Sequence, residues 1–500
     1  MNEACIINGD YFGNTKINLN FPCEIHFTRF GNTDVKRNKE NIFNKIEFNN
    51  ENAYKVFICS NEPSTSKSRE ENISIIENSY QYDLILTTEQ TVLENCPNAV
   101  FFPYGGTWLN KSNKHLDSLG EFHESILNDI KKEFNISFLT TCLLGKEGYN
   151  LRQKIWNTRN FIKIPTIFYS STRFFTTNNN FSDSIQDGLL PNDNKINLFN
   201  SQFSIAVESN KENSYFTEKL IDCLLTKTVP IYWGCDNIGN FFDIRGIIQF
   251  NTFEEMIENI NKIDENTYEN LKPYIEKNYE LAKEYGRDFF KRIEEVIQNS
   301  YEQELQKKDI LWTIGILTVP SRKSLLNKLL THIDTNIPYR YRHRIEIIVN
   351  NDNMIKTVGQ KRNEIIKDSK GKYISFIDDD DMVSFYYISK MAIILETDKY
   401  DGIGFWGIYY VSQNPIMKFN HANINAGHFK KDGLQYRPLN HLNPVRINIA
   451  KKIGYPEKNF GEDSDYCDRL LESGLIKSEF NFNEVMYHYL FDPKTTETQK

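Results

Sequence analysis

The sequence predicts an α/β protein with more than one domain. At 500 residues the chain exceeds one ordinary domain, and two or three are expected. Short β-rich runs alternate with helical patterns through the first 300 residues. A fresh β-α-β-α-β order begins at Trp312 and closes on a strand that runs into Asp378-Asp379-Asp380-Asp381. Such an order favours a parallel sheet with right-handed crossovers.

In the first 300 residues the runs 54–59, 82–86, 203–207 and 229–233 are rich in β-branched and aromatic residues and read as strands. From Phe253 the pattern turns helical. Leu281, Tyr285, Phe289 and Ile293 recur every four residues and predict one apolar helix face. The charged residues Glu302, Glu304, Lys307, Lys308 and Asp309 mark a boundary near residue 309. Beyond it, 312–317, 344–349 and 372–377 read as strands, and 323–333 and 359–368 as the helices between them.

Composition narrows the function classes. Lys and Arg total 59 against 67 Asp and Glu, a net charge of −8, which disfavours a general nucleic-acid binder while leaving room for local phosphate pockets. Mean hydropathy is −0.55. No segment approaches the ~18 apolar residues of a membrane helix. Met1-Asn2-Glu3-Ala4-Cys5 lacks a basic region followed by an apolar one, so no membrane span, no secretory signal and a cytoplasmic location are expected. The eight cysteines show no C-x-x-C pair, which points to reduced, buried thiols. There is no internal repeat, and the Asn-rich stretch 176–180 reads as a surface loop.

The acid-ended strand is the strongest chemical signal. Acid runs are usually solvated faces, but this one ends an apolar strand. A buried strand delivers its carboxylates to the carboxyl edge of a sheet, where ligands of open α/β folds bind. The alternate residues Asp378 and Asp380 are then placed to hold a hard divalent cation that neutralises a diphosphate. Thr318 and Arg322 follow the first strand of this region, Asn351 and Asp352 the second, and Gly359, Arg362 and Asn363 open the next helix. Each lies where nucleotide contacts belong, although any one alone is more often a surface residue. A second acidic cluster, Gly461-Glu462-Asp463-Ser464-Asp465, opens a helix whose dipole it also complements. His488 follows in Tyr487-His488-Tyr489.

Together, residues 310–490 resemble the family-2-type glycosyltransferases of GT-A fold. Phe376 to Asp381 looks like their DxD strand, Lys361-Arg362-Asn363 like their "RN" helix, and Gly461-Glu462-Asp463 like their "ED" motif. The resemblance implies that Asp463 is the general base of an inverting transfer and that Asp380 and His488 bind Mn2+ or Mg2+. It places Asp378 on the ribose or the metal. Thr318, Arg322, Asp352, Arg362 and Asn363 are expected at a sugar nucleotide, UDP-linked in most such enzymes. His441, Asn443 and Glu462 are expected on the acceptor side.

In the first 300 residues the richest stretch is 203–234. A strand ends in Glu208-Ser209-Asn210, Thr217 is placed to cap a helix with apolar Leu220, Ile221, Leu224 and Leu225, and Lys219 sits at that helix N-terminus. A lysine at a helix start beside a strand-end glutamate suits a diphosphate and a ribose; Glu218 and Lys219 equally suit a plain solvated cap. This stretch resembles the α-1,3-fucosyltransferase family (glycosyltransferase family 10). Glu208-Ser209-Asn210, Tyr215-Phe216-Thr217-Glu218-Lys219 and Pro230-Ile231-Tyr232-Trp233-Gly234 follow its pattern, with Ser and Asn exchanged and Phe216 in place of a smaller residue. Lys146 and Gly148-Tyr149-Asn150-Leu151-Arg152 resemble its diphosphate-binding lysine and arginine. Glu62-Pro63 resembles its base motif, and Pro103-Tyr104-Gly105-Gly106 a landmark between its halves.

The implied architecture is a GT-B pair of Rossmann-like halves, residues 1–125 on the acceptor side and 126–300 on the donor side. A linker at 301–311 and a GT-A domain at 312–500 follow. The resemblance implies that the first module needs no bound metal, that Lys146, Arg152, Glu208, Tyr215, Glu218 and Lys219 bind a GDP-fucose-like donor, and that Glu62 is the base. The expected function is a bifunctional glycosyltransferase that builds a glycan on a glycan acceptor. Two other readings stand beside it: a catalytic C-terminal module with a glycan-binding or scaffolding N-terminal one, and a nucleotide-binding regulatory protein without transfer.

Overall fold

A computed structural model describes residues 2–3, 5–7, 17–27, 50, 52–59, 67–103, 105–109, 121–140, 145–170, 190 and 194–491. The chain divides into two compact units. The first comprises residues 1–46, 56–77 and 84–298, and the second 47–55, 78–83 and 299–500.

The first unit holds two five-stranded sheets of α/β type. In one, β1 (Cys5–Ile7), β2 (Cys23–Phe27), β3 (Tyr54–Ile58), β4 (Leu84–Thr87) and β5 (Ala99–Phe101) lie in chain order. The pairings β1–β2, β3–β4 and β4–β5 are parallel. In the other, β6 (Glu133–Thr140), β7 (Thr166–Ser170), β8 (Ser201–Val207), β9 (Val229–Trp233) and β10 (Ile248–Gln249) lie in the order β10-β9-β8-β6-β7. All four pairings are parallel. Every residue of β9 is buried, as a strand covered on both faces requires. One face packs Phe203, Ile205, Val207, Ile231 and Trp233 against Ile155 and Trp156 of α1 (Glu147–Asn157). The other packs Ala206 and Tyr232 against Leu220 and Leu224 of α2 (Glu218–Leu225).

The single apolar helix face expected over 281–293 is a break between two helices. α3 (Thr267–Tyr285) ends at Gly286, where an added Cβ would stand 2.7 Å from Leu225 Cδ1. α4 (Phe289–Gln306) starts anew because the Asp288 carboxylate accepts from the amides of Phe290 and Lys291, at 3.0 and 2.9 Å. Residues 301–306, read as linker from their charge, are helical. Glu304 there pairs with Arg340 at 3.1 Å.

The second unit is built on one ten-stranded mixed sheet. β11 (Trp312–Thr318), α5 (Lys323–Asn336), β12 (Ile345–Asn351), α6 (Val358–Asp368) and β13 (Tyr373–Phe376) form the expected parallel core, with β11 between the other two. A capping box of Thr357 and Gln360 starts α6. The remaining strands are a mostly antiparallel extension: β14 (Met382–Val383), β15 (Gly402–Val411), β16 (Asn414–His421), β17 (Phe429–Lys431), β18 (Leu434–Arg437), β19 (Val445–Arg446) and β20 (Glu479–Phe491). The path runs β12-β11-β13-β19-β15-β16-β18-β17, and β20 pairs with β14 and β15. α7 (Tyr387–Glu396) packs Tyr387, Ile388 and Met391 into the core beneath it. α8 (Glu462–Ser473) contributes Tyr466 and Leu470 to a second cluster with Phe376 and Ile365. Among the described residues, no helix is long and apolar enough to cross a membrane. Six cysteines there are free: Cys23, Cys59, Cys96, Cys223, Cys235 and Cys467.

Candidate active sites

In the first unit, charged side chains gather at the carboxyl end of β8. The chain continues into buried Glu208, Ser209 and Asn210, against which α1 is pressed. The Gly148 amide donates to Ser209 O at 3.1 Å, and a Cβ on Gly148 would stand 1.8 Å from Glu208 O, so only glycine fits. Glu208 accepts from the Thr217 amide at 2.8 Å and its hydroxyl at 2.7 Å, with Lys219 Nζ 3.6 Å away. Burial raises the pKa of Glu208, although Lys219 and Thr217 work against that rise. Thr217 also caps α2 as expected. Lys219 Nζ donates to Thr217 Oγ1 at 3.0 Å and to Glu218 Oε1 at 3.1 Å. Burial acts against ionisation of Glu218, but Lys219 and Lys195 outweigh it and hold its pKa down at about 2. Tyr215 shares a hydrogen bond with Ser209 at 3.1 Å. Asn210 Nδ2 is buried with no hydrogen-bond partner among the described residues.

Arg152 stands within the electrostatic reach of Glu208, Glu218 and Tyr215. It is buried and donates from Nε to Val207 O at 2.9 Å and from a terminal nitrogen to the same oxygen. Its guanidinium lies 5.3 Å from the Tyr149 ring centroid, and Lys146 Nζ 5.6 Å from the same centroid. Glu62, Pro63, Tyr104 and the stretch 176–180 lie outside the described residues. Sequence reasoning missed Lys195 and Asp222. Lys195 Nζ is 3.7 Å from both Glu218 and Asp222, and burial raises the Asp222 pKa to about 6. The spacing of Glu218 and Asp222, one helical turn, was a signal for their shared face. Nothing local pointed to Lys195.

In the second unit the aspartates leave β13 in two groups. Asp379 and Asp380 face the end of β11: Thr318 Oγ1 donates to Asp379 at 2.6 Å, and Arg322 reaches Asp379 at 2.8 Å and Asp380 at 3.0 Å. Asp378 faces α6 and α8. Arg362, buried and lying 5.5 Å from the Phe376 and 5.3 Å from the Tyr455 ring centroids, stands 3.5 Å from Asp378 and 2.8 Å from Glu462. His441 Nε2 is 3.4 Å from Asp378. Asp463 lies beside Glu462 in the first turn of α8, 3.7 Å from Arg437.

These neighbours decide the charges. Burial opposes ionisation of both Asp378 and Asp463. For Asp378 it is outweighed by His441, Arg362 and Arg322, and for Asp463 by His441, Arg437 and Arg362, so both carboxyls lie below their usual range. Asp380 is the reverse: burial and then Asp378 push it up to about 6 despite Arg322. Asp381 is pushed well above its usual value by burial and by Asp378 and Asp380, and accepts from Tyr487 OH at 2.8 Å and the Leu490 amide at 2.7 Å.

Other expected residues are engaged elsewhere. Asp352 accepts from Lys361 Nζ at 2.7 Å and from the amides of Met354 and Lys356, at 3.2 and 2.9 Å. The Asn363 amide clips the backbone of Tyr455, donating to its O and accepting from its N, both at 2.8 Å. Asn443 accepts from the Asn440 amide at 3.0 Å and donates to Ile403 O at 2.9 Å, which holds the turn bearing His441. His488 stands 3.2 Å from Ser384 Oγ and 3.4 Å from Tyr410 OH. Alternate residues of a strand face opposite ways, so with Tyr487 turned to Asp381, His488 is turned from it. Asp378, Asp380 and His488 do not form a trio with donor atoms within 4.8 Å of one another. The oxygen donors of Asp378 and Asp380 are of the type a hard divalent cation takes, while His488 is engaged by Ser384 and Tyr410. Sequence reasoning also missed Arg437, which is remote in the chain from Asp463.

Residues 186–289 match the family model described as Glycosyltransferase family 10 (fucosyltransferase) C-term, and residues 289–451 that of Glycosyl transferase family 2. The Alpha-(1,3)-fucosyltransferase FucT of Helicobacter pylori is 31% identical over 102 residues, covering 19% of this chain and 20% of the relative. This chain therefore spans about a fifth of that relative's length in the match. Among solved structures, an alpha1,3-fucosyltransferase with GDP-fucose is 19% identical, with 54% of this chain and 78% of that chain covered and a TM-score of 0.31. S. aureus TarS 1-349 in complex with UDP-GlcNAc is 12% identical, with 36% and 58% covered and a TM-score of 0.28. The chain thus carries two glycosyltransferase segments in tandem, the first matching family 10 (fucosyltransferase) and the second family 2.

Proposed function

We infer that the protein is a bifunctional glycosyltransferase acting on a glycan acceptor. The first module uses a GDP-fucose-like donor without a metal, and the second uses a sugar nucleotide of the UDP-sugar class with inversion. The observation that carries the reading is that each matched segment sets buried, mutually balanced charges at the carboxyl end of a parallel sheet.

In the second module Asp463 is the general base. Its carboxylate is kept ionised by His441, Arg437 and Arg362, so it accepts the acceptor hydroxyl's proton as that oxygen attacks the anomeric carbon. Arg362 joins Glu462 to Asp378 and fixes the base-bearing turn of α8 against the nucleotide side. Asp378 and Asp380 would hold Mn2+ or Mg2+, which would supply positive charge for the leaving diphosphate. Arg322, now on Asp379 and Asp380, is a second cation available to that charge. Thr318, Asp352, Asn363 and Asn443 fix the frame around these groups, and His441 and Glu462 lie toward the acceptor. In the first module Lys219, with Arg152 and Lys146, supplies the positive charge for the diphosphate. Glu208 and Tyr215 order the strand end, and the buried Asn210 amide is a donor left for the ligand. Glu62 is assigned as base on its motif.

The test is a panel of sugar nucleotides with the full-length protein, read as nucleoside diphosphate released in the presence of glycan acceptors. Two donors are expected to turn over, one lost in Lys219→Ala and the other in Asp463→Asn. A single donor insensitive to Lys219→Ala assigns the N-terminal module to glycan recognition. No turnover of any donor, with binding retained, assigns the protein to nucleotide sensing.

A further inference from the structure

The chain entering β17 packs against α8, and an imidazole, a thiol and a carboxylate meet there. His428 Nε2 lies 3.0 Å from Asp468 Oδ1 and 3.7 Å from Cys467 Sγ. One ligand atom from each residue lies within 4.8 Å of the other two, a closeness found in no other His, Cys, Asp or Glu trio among the described residues. Tetrahedral bonds of ~2.3 Å to sulfur and ~2.0 Å to nitrogen and oxygen place S and N vertices ~3.5 Å apart and N and O vertices ~3.3 Å apart. The S–N and N–O edges here are within a few tenths of an ångström of those values, and the S–O edge is within 4.8 Å. Cys467 is buried at the floor, while the His428 and Asp468 side chains are 37% and 56% exposed at the rim.

We propose that His428, Cys467 and Asp468 bind Zn2+ and clamp α8 to the β17–β18 hairpin. This site differs in kind from the Asp378 and Asp380 pair: a thiolate and an imidazole select zinc, whereas carboxylates alone select magnesium or manganese. Binding displaces the Cys467 thiol proton, now 3.6 Å from Pro438 O as a weak donor, and releases it to water. The imidazole stays neutral, presents the Nε2 lone pair and carries its proton on Nδ1. The contact between Arg437 Nε and His428 Nδ1, now 3.3 Å, therefore opens. Arg437 also donates to Ser464 Oγ at 3.1 Å and stands 3.7 Å from Asp463, so occupancy is felt in the first turn of α8.

The test is titration of the full-length, metal-stripped protein with Zn2+ and, separately, Co2+. One zinc per chain is expected, resistant to millimolar Mg2+. The Co2+ form is expected to show a thiolate-to-cobalt band in the near ultraviolet and tetrahedral visible bands. Cys467→Ser should remove the near-ultraviolet band. His428→Gln and Asp468→Asn, both at exposed positions that tolerate substitution, should each weaken zinc by ~10-fold or more, as a lost ligand costs at least what a lost supporting contact does. No stoichiometric zinc, or cobalt spectra and zinc affinities unchanged across the three variants, overturns the site.

Discussion

Asp463 and Asp380 are tuned in opposite directions. Asp463 is surrounded by Arg362, Arg437 and His441 and stays ionised. On the proposed assignment of Asp463 as general base, replacing it with Asn removes the proton acceptor and little else. Turnover by the second module should fall ~10²–10⁴-fold, while donor affinity measured by calorimetry stays close to that of the parent. Asp380 is held at about 6, above the ~3.9 of an unfolded aspartate. A raised carboxyl binds its proton more tightly when folded, so its contribution to stability declines as pH climbs from about 4 to about 6. A divalent cation held as proposed would offset that decline only once the proton is gone. The rise in melting temperature on adding Mn2+ should therefore be larger at pH 7.5 than at pH 5, and Asp380→Asn should abolish the difference. Glu218 has the other sign. Held at about 2 by Lys219 and Lys195, it supports the fold above the ordinary carboxylate range, and that support is lost as pH falls toward 2.

At the scale of elements, both modules press a helix start onto a neighbouring backbone through a glycine. In α1 a Cβ on Gly148 would lie 1.8 Å from Glu208 O; in α6 a Cβ on Gly359 would lie 1.8 Å from Pro456 O. Backbone cannot yield as the end of a side chain does, so Gly148→Ala and Gly359→Ala should each cost ~1–3 kcal/mol in denaturant unfolding. Each should also damage its own module's donor binding more than the other's. Gly359→Ala is expected to move Arg362 off Glu462 and Asp378, and Gly148→Ala to move Arg152 from Val207. The strands bearing these sites were legible because burial on both faces leaves near-continuous apolar runs, as in β8, β9 and β13. The hairpin of β15 and β16 was not. It turns through Ser412 and Gln413, both with positive φ, where Asn-Gly would have announced such a turn. The break between α3 and α4 was hidden by a four-residue apolar spacing that continues across Gly286 by coincidence.

For the whole molecule, the two modules should separate by metal dependence. Chelation with EDTA is expected to abolish transfer from the donor lost in Asp463→Asn and to leave that lost in Lys219→Ala, measured side by side on the same preparation. Point variants of the full chain suit this better than truncation at residue 300, because the second compact unit includes residues 47–55 and 78–83. That inclusion was invisible in the sequence, where these residues read as part of an N-terminal α/β half. Order along the chain, strand-end acids, capped helix starts and two family motifs are local properties, and the sequence alone determined them. Which partners those side chains meet was decided by tertiary structure. Arg322 lies on Asp379 and Asp380, Arg437 lies beside Asp463, and His488 lies beside Ser384 and Tyr410. The reason is physical: a charge's protonation and reach depend on neighbours brought together across scores of residues, and on which face of a strand points inward, neither of which spacing along the chain encodes.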